Sequence, residues 1–239
     1  MRLLVSVRSA EEVPAALAGG ADIIDAKEPA RGSLGAVTSE VLSAIAACTP
    51  SAVPLSVAMG DCTDRDVLRV AMNGARTGER SAPVYLKLGF AGVSSVDRIT
   101  ALLEAAVAGA NGNDIVAVAY ADDALAGSSP PEDVLRAAIA ARARGFLLDT
   151  WRKDGRALLD HAAIERVAAL SLGARTAGLL FAVAGSLDTD AISHFGTIAD
   201  VVGVRGAACR GGRSGSVDAG RVAELRRRLP PGSVLLRVG

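Results

Sequence analysis

Residues 21–29 read ADIIDAKEP, in which a short apolar run of strand length is interrupted by Asp25 and Lys27. Side chains alternate between the two faces of a strand, so Ile23, Asp25 and Lys27 share one face. Two charges on one face of a nearly continuous apolar strand must point at a polar interior. The stretch therefore predicts a buried strand that ends in an enclosed polar site.

Similar apolar runs recur along the whole chain and alternate with amphipathic helices. The predicted strands, each about 4–8 residues long as expected of buried strands, cover 3–7, 22–26, 54–58, 84–88, 115–120, 146–149, 179–183 and 201–204. The predicted helices begin at residues that cap free N–H groups, near Ser9, Thr38, Asp61, Ser94, Ser129, Asp160, Asp188 and Asp218.

Eight strands, each followed by a helix, predict an α/β protein with a single (β/α)₈ barrel, or TIM barrel, over residues 1–239. The length is close to the roughly 250 residues of such a barrel. The alternative is a doubly wound open sheet, but no GxGxxG motif follows the first strand. The Gly/Ser-rich segment 210–217 is expected to form a loop after the last strand, and the apolar tail 233–238 to pack under the barrel.

Composition narrows the class of protein. Half of the 239 residues are hydrophobic and the mean hydropathy is +0.34, which is typical of a folded globular chain. We expect no membrane partner, because no apolar run approaches the roughly 18 residues of a membrane-spanning helix. We expect no signal peptide, because the start MRLLVSVRSAEE lacks a long apolar region and a cleavage site of small residues. We expect no nucleic-acid partner, because 26 basic and 26 acidic residues cancel. Three widely spaced cysteines form no metal pair or disulfide framework, which favours a cytoplasmic location.

Lysine is rare in this chain, and its placement is informative. Lys27, Lys87 and Lys153 are the only lysines among the 26 basic residues. Lys27 and Lys87 end the second and fourth predicted strands, and Lys153 follows the sixth. Barrel active sites lie at the C-terminal ends of the strands, and alternate strands fill one interior layer. We therefore expect the three amines to converge at the barrel mouth with Asp25 and Asp149.

Such a cluster suits amine chemistry. Burial and neighbouring cations lower the pKa of a lysine, which can then lose its proton near neutral pH, whereas arginine stays charged. A neutral amine attacks a carbonyl and forms a Schiff base. Asp25 and Asp149 can keep a neighbouring lysine charged or move protons. The alternative is a structural Lys–Asp network, but ionisable clusters at strand ends are usually functional.

Small residues follow the seventh and eighth predicted strands, where barrels often bind phosphate. These residues are Gly185, Ser186, Gly206 and Ala207. Backbone N–H groups in such loops approach an anion closely, and the side chain of Arg205 is expected to add further donors. A second loop of small residues, 32–35, follows the second strand, and its Ser33 is a further candidate for phosphate binding. Plain tight turns are the alternative interpretation of these glycines.

The residues alone thus favour a cofactor-free Schiff-base enzyme that acts on small phosphorylated carbonyl compounds. His161 and His194 fall in predicted helices away from the mouth, and no HxH, HExxH or Asp cluster offers a metal site, so we expect neither metal nor cofactor. Two other functions stay open. One is another class I aldolase or a sugar-phosphate isomerase on the same barrel, and the other is a non-catalytic phosphometabolite-binding protein.

Motifs along nearly the whole chain resemble those of one enzyme family. Residues 21–36, ADIIDAKEPARGSLGA, resemble its DxKxPxxGSLGA signature. Further similar stretches follow in the same order, at 85–89 (YLKLG), 118–122 (VAYAD), 147–155 (LLDTWRKDG), 184–186 (AGS) and 200–209 (DVVGVRGAAC). The family is (5-formylfuran-3-yl)methyl phosphate synthase, also called 4-(hydroxymethyl)-2-furancarboxaldehyde-phosphate synthase, of methanofuran biosynthesis. The chain departs from it at Trp151 and Arg152, where bulky residues are expected to alter the mouth.

The resemblance implies a (β/α)₈ barrel that condenses two molecules of glyceraldehyde 3-phosphate into a furan aldehyde phosphate and releases phosphate and water. It also implies the roles of the lysines: Lys27 forms the Schiff base and Lys87 accepts a proton. Asp25, Asp149 and Lys153 match further active-site positions of the family. The expected partner is a small phosphorylated aldehyde, and a homo-oligomer stays open.

Overall fold

Eight parallel strands close into a barrel with helices around it, which confirms the predicted (β/α)₈ architecture. The computed structural model describes residues 1–75 and 77–230. In these residues the barrel strands are β1 (Arg2–Val7), β2 (Ile23–Ala26), β3 (Leu55–Asp61), β4 (Val84–Gly89), β5 (Asp114–Tyr120), β6 (Gly145–Asp149), β7 (Leu180–Val183) and β8 (Val201–Val204). Each strand pairs with the next, and β8 pairs back with β1. The predicted packing of the tail, 233–238, lies outside the described residues.

Helices and short turns connect the strands. The α-helices of the described residues are α1 (Val13–Ala18), α2 (Ser39–Cys48), α3 (Arg65–Gly74), α4 (Val96–Ala108), α5 (Asp123–Ala126), α6 (Pro131–Ala140), α7 (Ile164–Thr176) and α8 (Ala219–Arg228). Short 3₁₀ helices lie at Ala10–Glu12, Pro29–Arg31, Leu158–Asp160, Ala191–Phe195, Gly206–Ala208 and Gly212–Ser214. A small antiparallel pair, β9 (Cys209–Arg210) and β10 (Ser216–Val217), forms part of the loop after β8. No helix in residues 1–75 or 77–230 is both long and apolar enough to cross a membrane.

The predicted helix starts are correct where a side chain caps the helix. Thr38 accepts a hydrogen bond from the backbone of α2, and Asp218 accepts one from the backbone of α8. The start predicted at Asp61 is wrong, because β3 continues through this residue and Asp64 caps α3 instead. The segment after Asp188 forms only a 3₁₀ helix, which ends at Gly196, a residue type that disfavours helix continuation.

Alternating side chains divide the apolar core into two layers. Outward-facing residues such as Ile24, Leu86 and Val202 belong to the layer between the strands and the helices. Inward-facing residues such as Ile23 and Val116 form a second cluster inside the barrel. Both layers follow from the two-residue period of the strands.

The barrel interior is only partly filled. Bulky side chains normally fill a (β/α)₈ barrel in layers. Here Gly145, Ala182 and Gly203 occupy inward-facing positions on β6, β7 and β8, and all three line a cavity. The sequence therefore opens space below the mouth on the side of the last three strands.

Candidate active site

A cavity of about 430 Å³ opens at the C-terminal ends of the strands. Its volume lies within the range of roughly 300–1,000 Å³ that is common for small-molecule sites. Each of the five predicted catalytic residues lines it, namely Asp25, Lys27, Lys87, Asp149 and Lys153. The structure thus brings together side chains that are up to 128 positions apart in the sequence, between Asp25 and Lys153.

Asp25 and Lys87 form one buried ion pair. Lys87 Nζ lies 2.7 Å from Oδ1 of Asp25, and the Ser6 hydroxyl donates a 2.7 Å hydrogen bond to Oδ2. Burial alone would raise the pKa of Asp25, but the charges of Lys87 and Lys27 and the two side-chain hydrogen bonds outweigh it, so the pKa is lowered. Asp25 is therefore a carboxylate that holds the Lys87 ammonium beside Lys27.

Asp149 and Lys153 form a second ion pair across the mouth. Lys153 Nζ donates to Oδ1 of Asp149 at 2.8 Å and to the Thr150 hydroxyl at 3.0 Å. The backbone N–H of Thr150 also donates to Asp149, at 2.7 Å. Burial would raise the pKa of Asp149, but the charges of Lys153 and Lys27 outweigh this effect and lower it. Asp149 is thus ionised and holds Lys153 over the cavity.

Lys27 lies between these two pairs and is itself buried, with 7% of its surface exposed. Within residues 1–75 and 77–230 it makes no ion pair shorter than 4.0 Å, unlike Lys87 and Lys153. The pKa of Lys27 is lowered to about 7, and burial is the largest cause. The charges of Asp149 and Asp25 raise this pKa, whereas the other two lysines lower it further. A large part of the Lys27 amine is therefore neutral near pH 7 and can attack a carbonyl carbon.

Asp122 fixes the loop that carries Lys153. The Asp122 carboxylate is buried and accepts hydrogen bonds from the backbone N–H groups of Trp151, at 2.6 Å, and Arg152, at 2.9 Å. Asp122 is thus a buried anchor of this loop. Trp151 packs against the interior apolar cluster and does not line the cavity, so its bulk does not narrow the described mouth.

The loops after β7 and β8 present backbone N–H groups to the cavity. Gly185 and Ser186 have φ angles of 110° and 52°, in the left-handed region, so the chain turns sharply here. Within the described part of the chain, the N–H groups of Gly185, Ser186, Gly206 and Ala207 make no hydrogen bond. All four residues line the cavity. Unpaired N–H groups of this kind bind anions.

Arg205 lines the cavity, but its guanidinium is bound by other groups of the protein. Its side chain forms a buried ion pair with Glu12 and also donates to the carbonyl oxygens of Ser6, Arg213 and Gly215. All three of its nitrogens are thereby engaged inside the protein. The expected donation from Arg205 to a substrate phosphate is corrected: the guanidinium joins the loop after β8 to the 3₁₀ helix after β1.

Ser33, unlike Arg205, is not among the residues that line the cavity. It is buried, and its hydroxyl donates a 3.5 Å hydrogen bond to the hydroxyl of Tyr120, which in turn donates to Asp61 at 2.6 Å. Burial and the neighbouring Asp61 raise the pKa of Tyr120 well above its usual value, so this hydroxyl stays protonated and can donate. The loop after β2 therefore packs over the end of β5, and the expected second phosphate site at Ser33 is not supported.

Ser56 and Arg213 also line the cavity, and the sequence analysis assigned neither of them a role. Ser56 on β3 is buried, and its hydroxyl has no hydrogen-bond partner within the described residues. Strand alternation from Leu55 would have placed it inward, so a signal existed. Arg213 lies in the loop 210–217, where no pattern was recognised. Among the residues that the structure describes, no group of three or more His, Cys, Asp or Glu is placed to hold a metal ion.

The fold and the cavity together define a (β/α)₈ barrel enzyme with a lysine centre at its C-terminal mouth. The family model of 4-HFC-P synthase matches residues 3–226. The chain belongs to this enzyme family.

Two relatives agree with this assignment, and one solved structure is similar in fold alone. The (5-formylfuran-3-yl)methyl phosphate synthase of Methanothermobacter thermautotrophicus is 34% identical over 236 residues, which cover 96% of this chain and 99% of the relative. The enzyme of the same name from Methanocaldococcus jannaschii is 37% identical, over 95% of this chain and 98% of the relative. Phosphoribosyl anthranilate isomerase from Thermus thermophilus is similar in fold, with a TM-score of 0.61 at 15% identity over 95% of this chain and 98% of that chain.

Proposed function

We propose that this protein condenses two molecules of glyceraldehyde 3-phosphate into 4-(hydroxymethyl)-2-furancarboxaldehyde phosphate, as an early enzyme of methanofuran biosynthesis. The observation that carries the proposal is Lys27, a buried amine with a pKa of about 7 between two lysine–carboxylate pairs. The names of the relatives support the product, which contains a furan ring, an aldehyde and a phosphate ester.

The atoms of this reaction balance without an added reagent. Two triose phosphates supply the six carbons and both phosphates, and the products are the furan aldehyde phosphate, one inorganic phosphate and two waters. The conversion is an overall loss of water and phosphate with no net oxidation or reduction. The proposal therefore requires no redox cofactor.

Each member of the cluster has a distinct task in this proposal. After isomerisation of one triose phosphate, the Lys27 amine attacks its carbonyl carbon and expels water, so that a carbon–nitrogen double bond forms. Lys87, held by Asp25, moves protons at the adjacent carbon during enolisation and phosphate elimination. Lys153 and Asp149 position and protonate the oxygens that leave as water when the ring closes.

The substrate phosphate is held at the other side of the mouth in this proposal. The unpaired N–H groups of Gly185, Ser186, Gly206 and Ala207 face the cavity that contains Lys27. A phosphate bound there would leave the carbonyl end of a three-carbon substrate directed toward the amine. The unpartnered hydroxyl of Ser56 offers a further contact for a substrate oxygen.

Turnover and adduct mapping test the proposal. The purified protein is incubated with glyceraldehyde 3-phosphate while furan absorbance and free phosphate are followed, and borohydride is then added to reduce any Schiff base. We expect both signals to rise and a triose-sized adduct to map to Lys27. An adduct on Lys87 or Lys153 would overturn the assigned roles. Triose isomerisation without an adduct would indicate an isomerase, and binding without turnover would indicate a binding protein.

A further inference from the structure

The loop after β8 carries an arginine that the steps above do not use. Arg213 lies in the short helix Gly212–Ser214 between β9 and β10, and it lines the same cavity as the three lysines. Its Nη2 donates to the carbonyl oxygens of Pro29, at 3.1 Å, and Gly32, at 2.6 Å. The side chain therefore bridges the mouth from the β8 loop to the loop that follows Lys27.

Charge distinguishes Arg213 from the three lysines of the cavity. Lys87 and Lys153 are each neutralised by a carboxylate within 2.8 Å, and Lys27 can lose its proton. Arg213 forms no ion pair with any residue of 1–75 or 77–230, and its Nε and Nη1 make no hydrogen bond there. A guanidinium stays protonated at all physiological pH values. Arg213 thus supplies a permanent positive charge with donors to spare.

The neighbours of Arg213 suit an anion. Gly206 lies against it, since a Cβ atom at Gly206 would be 3.6 Å from the Arg213 backbone nitrogen. Gly206 and Ala207, whose N–H groups make no hydrogen bond within the described residues, therefore lie near the backbone of Arg213 and line the same cavity as its side chain. A planar guanidinium with adjacent backbone N–H groups is a common arrangement for binding phosphate.

The side chain of Arg205 holds the backbone around Arg213 in place by hydrogen bonds. Arg205 Nε donates to the carbonyl oxygen of Arg213 at 3.2 Å, and its Nη2 donates to that of Gly215 at 2.7 Å. The ion pair with Glu12 fixes Arg205 in turn. This brace limits the motion of the loop, so less entropy is lost when the arginine binds a ligand.

We propose that Arg213 binds the phosphate group of the substrate and so selects phosphorylated over unphosphorylated aldehydes. The inference rests on the proposed function, whose chemistry at Lys27 it extends to the recognition of the substrate. Arg205 and Glu12 are positioning residues in this arrangement, because they touch Arg213 or its loop and not the ligand.

Two aldehydes that differ only in the phosphate test this proposal. The concentration that gives half-maximal borohydride trapping at Lys27 is measured for glyceraldehyde 3-phosphate and for glyceraldehyde. For Arg213→Gln we expect this concentration to rise about 10- to 100-fold for the phosphorylated aldehyde, as for loss of a charged hydrogen bond, and to stay unchanged for glyceraldehyde. Arg210→Gln is the matched control, because Arg210 lies in the same loop, is exposed and pairs with Asp218, and it should trap both aldehydes like the wild type.

Each other outcome has a definite meaning. An equal loss for both aldehydes would show that Arg213 only holds the β2 loop, and no change for either would show that it does not contact the substrate; both results overturn the proposal. If Arg213→Gln does not fold, Arg213→Lys keeps the charge but loses the fork of donors, and the same selective rise is expected. If the wild type forms an adduct with neither aldehyde, the proposed function fails as well, whatever Arg213 does.

Discussion

The two sides of the barrel mouth are built differently. On the side of β2, β4 and β6, the charged groups are side chains rooted in strands and almost fully buried, such as Asp25, Lys87 and Asp149. On the side of β7 and β8, the polar groups are backbone N–H groups of loops and the half-buried Arg213. A reactive amine needs low dielectric and fixed neighbours, which strands provide, whereas an anion needs accessible donors, which loops provide.

The largest effect should come from the strand side, at Lys27. Lys27→Arg keeps the positive charge, but a guanidinium is a poor nucleophile and does not lose its proton. We expect the rate of furan formation to fall by more than about 10⁴-fold, as for loss of a covalent nucleophile. Borohydride should then trap no adduct. Substantial turnover by this variant would show that the reaction does not need the Lys27 amine.

The next largest effect should come from Asp149, where a change to asparagine removes the charge and keeps the shape of the side chain. Asp149→Asn should fold normally and lose about 10²- to 10⁴-fold in turnover, the usual range for an acid–base group. The Asp149 carboxylate raises the pKa of Lys27, so its removal should move that pKa below about 7. The neutral amine is the reactive form, so the acid limb of the trapping rate should shift to lower pH. Nearly full activity with an unshifted profile would assign Asp149 a structural role.

A third test removes the Glu12–Arg205 ion pair, which holds the loop after β8. Glu12→Gln keeps the size of the side chain but leaves the buried guanidinium of Arg205 without its counter-charge. We expect the free energy of unfolding to fall by about 3 kcal/mol, as for a buried ion pair that loses one partner. Urea unfolding measures this change. Glu11→Gln, at the exposed neighbouring position, is the control and should unfold like the wild type; equal stability of the two variants would contradict the brace.

The smallest effect should come from Asp122, which anchors the Lys153 loop. Asp122→Asn leaves only one acceptor oxygen for the two backbone N–H groups of Trp151 and Arg152. We expect kcat to fall about tenfold, as for loss of one charged hydrogen bond, with little change in KM. Asp123→Asn is the matched control on the adjacent residue. A change in KM alone would indicate that the loop binds substrate without placing Lys153.

The strand side could be predicted from sequence because strand alternation is a local rule. Asp25, Lys27 and Lys87 face inward, as the two-residue period requires, and all eight strands lie where the apolar runs predicted them. The observed limits of the strands differ from the predicted limits by only a few residues. Local spacing therefore determines both the fold and the direction of these side chains.

The loop side could not be predicted in the same way. Arg205 also faces the interior by alternation, yet Glu12 binds it, and that contact joins residues 193 positions apart. No pattern of neighbouring residues predicts a partner that lies so far away in the sequence. Arg205 in turn donates to the carbonyl oxygen of Arg213, the arginine of the same loop that lines the cavity. The sequence pointed to Arg205 as a phosphate ligand and gave no signal for Arg213.

The Glu12–Arg205 contact also bears on how the protein is made. The ribosome completes Lys27 and the first half of the barrel long before β8 and Arg205 emerge. Until the last strand pairs with the first, the Lys27 side chain faces water, and a hydrated lysine has a pKa near 10 and stays protonated. Cells contain many reactive aldehydes, and a protonated amine does not attack them. We therefore expect the nascent chain to be inert toward aldehydes, with the reactive amine appearing only when synthesis of the barrel is finished.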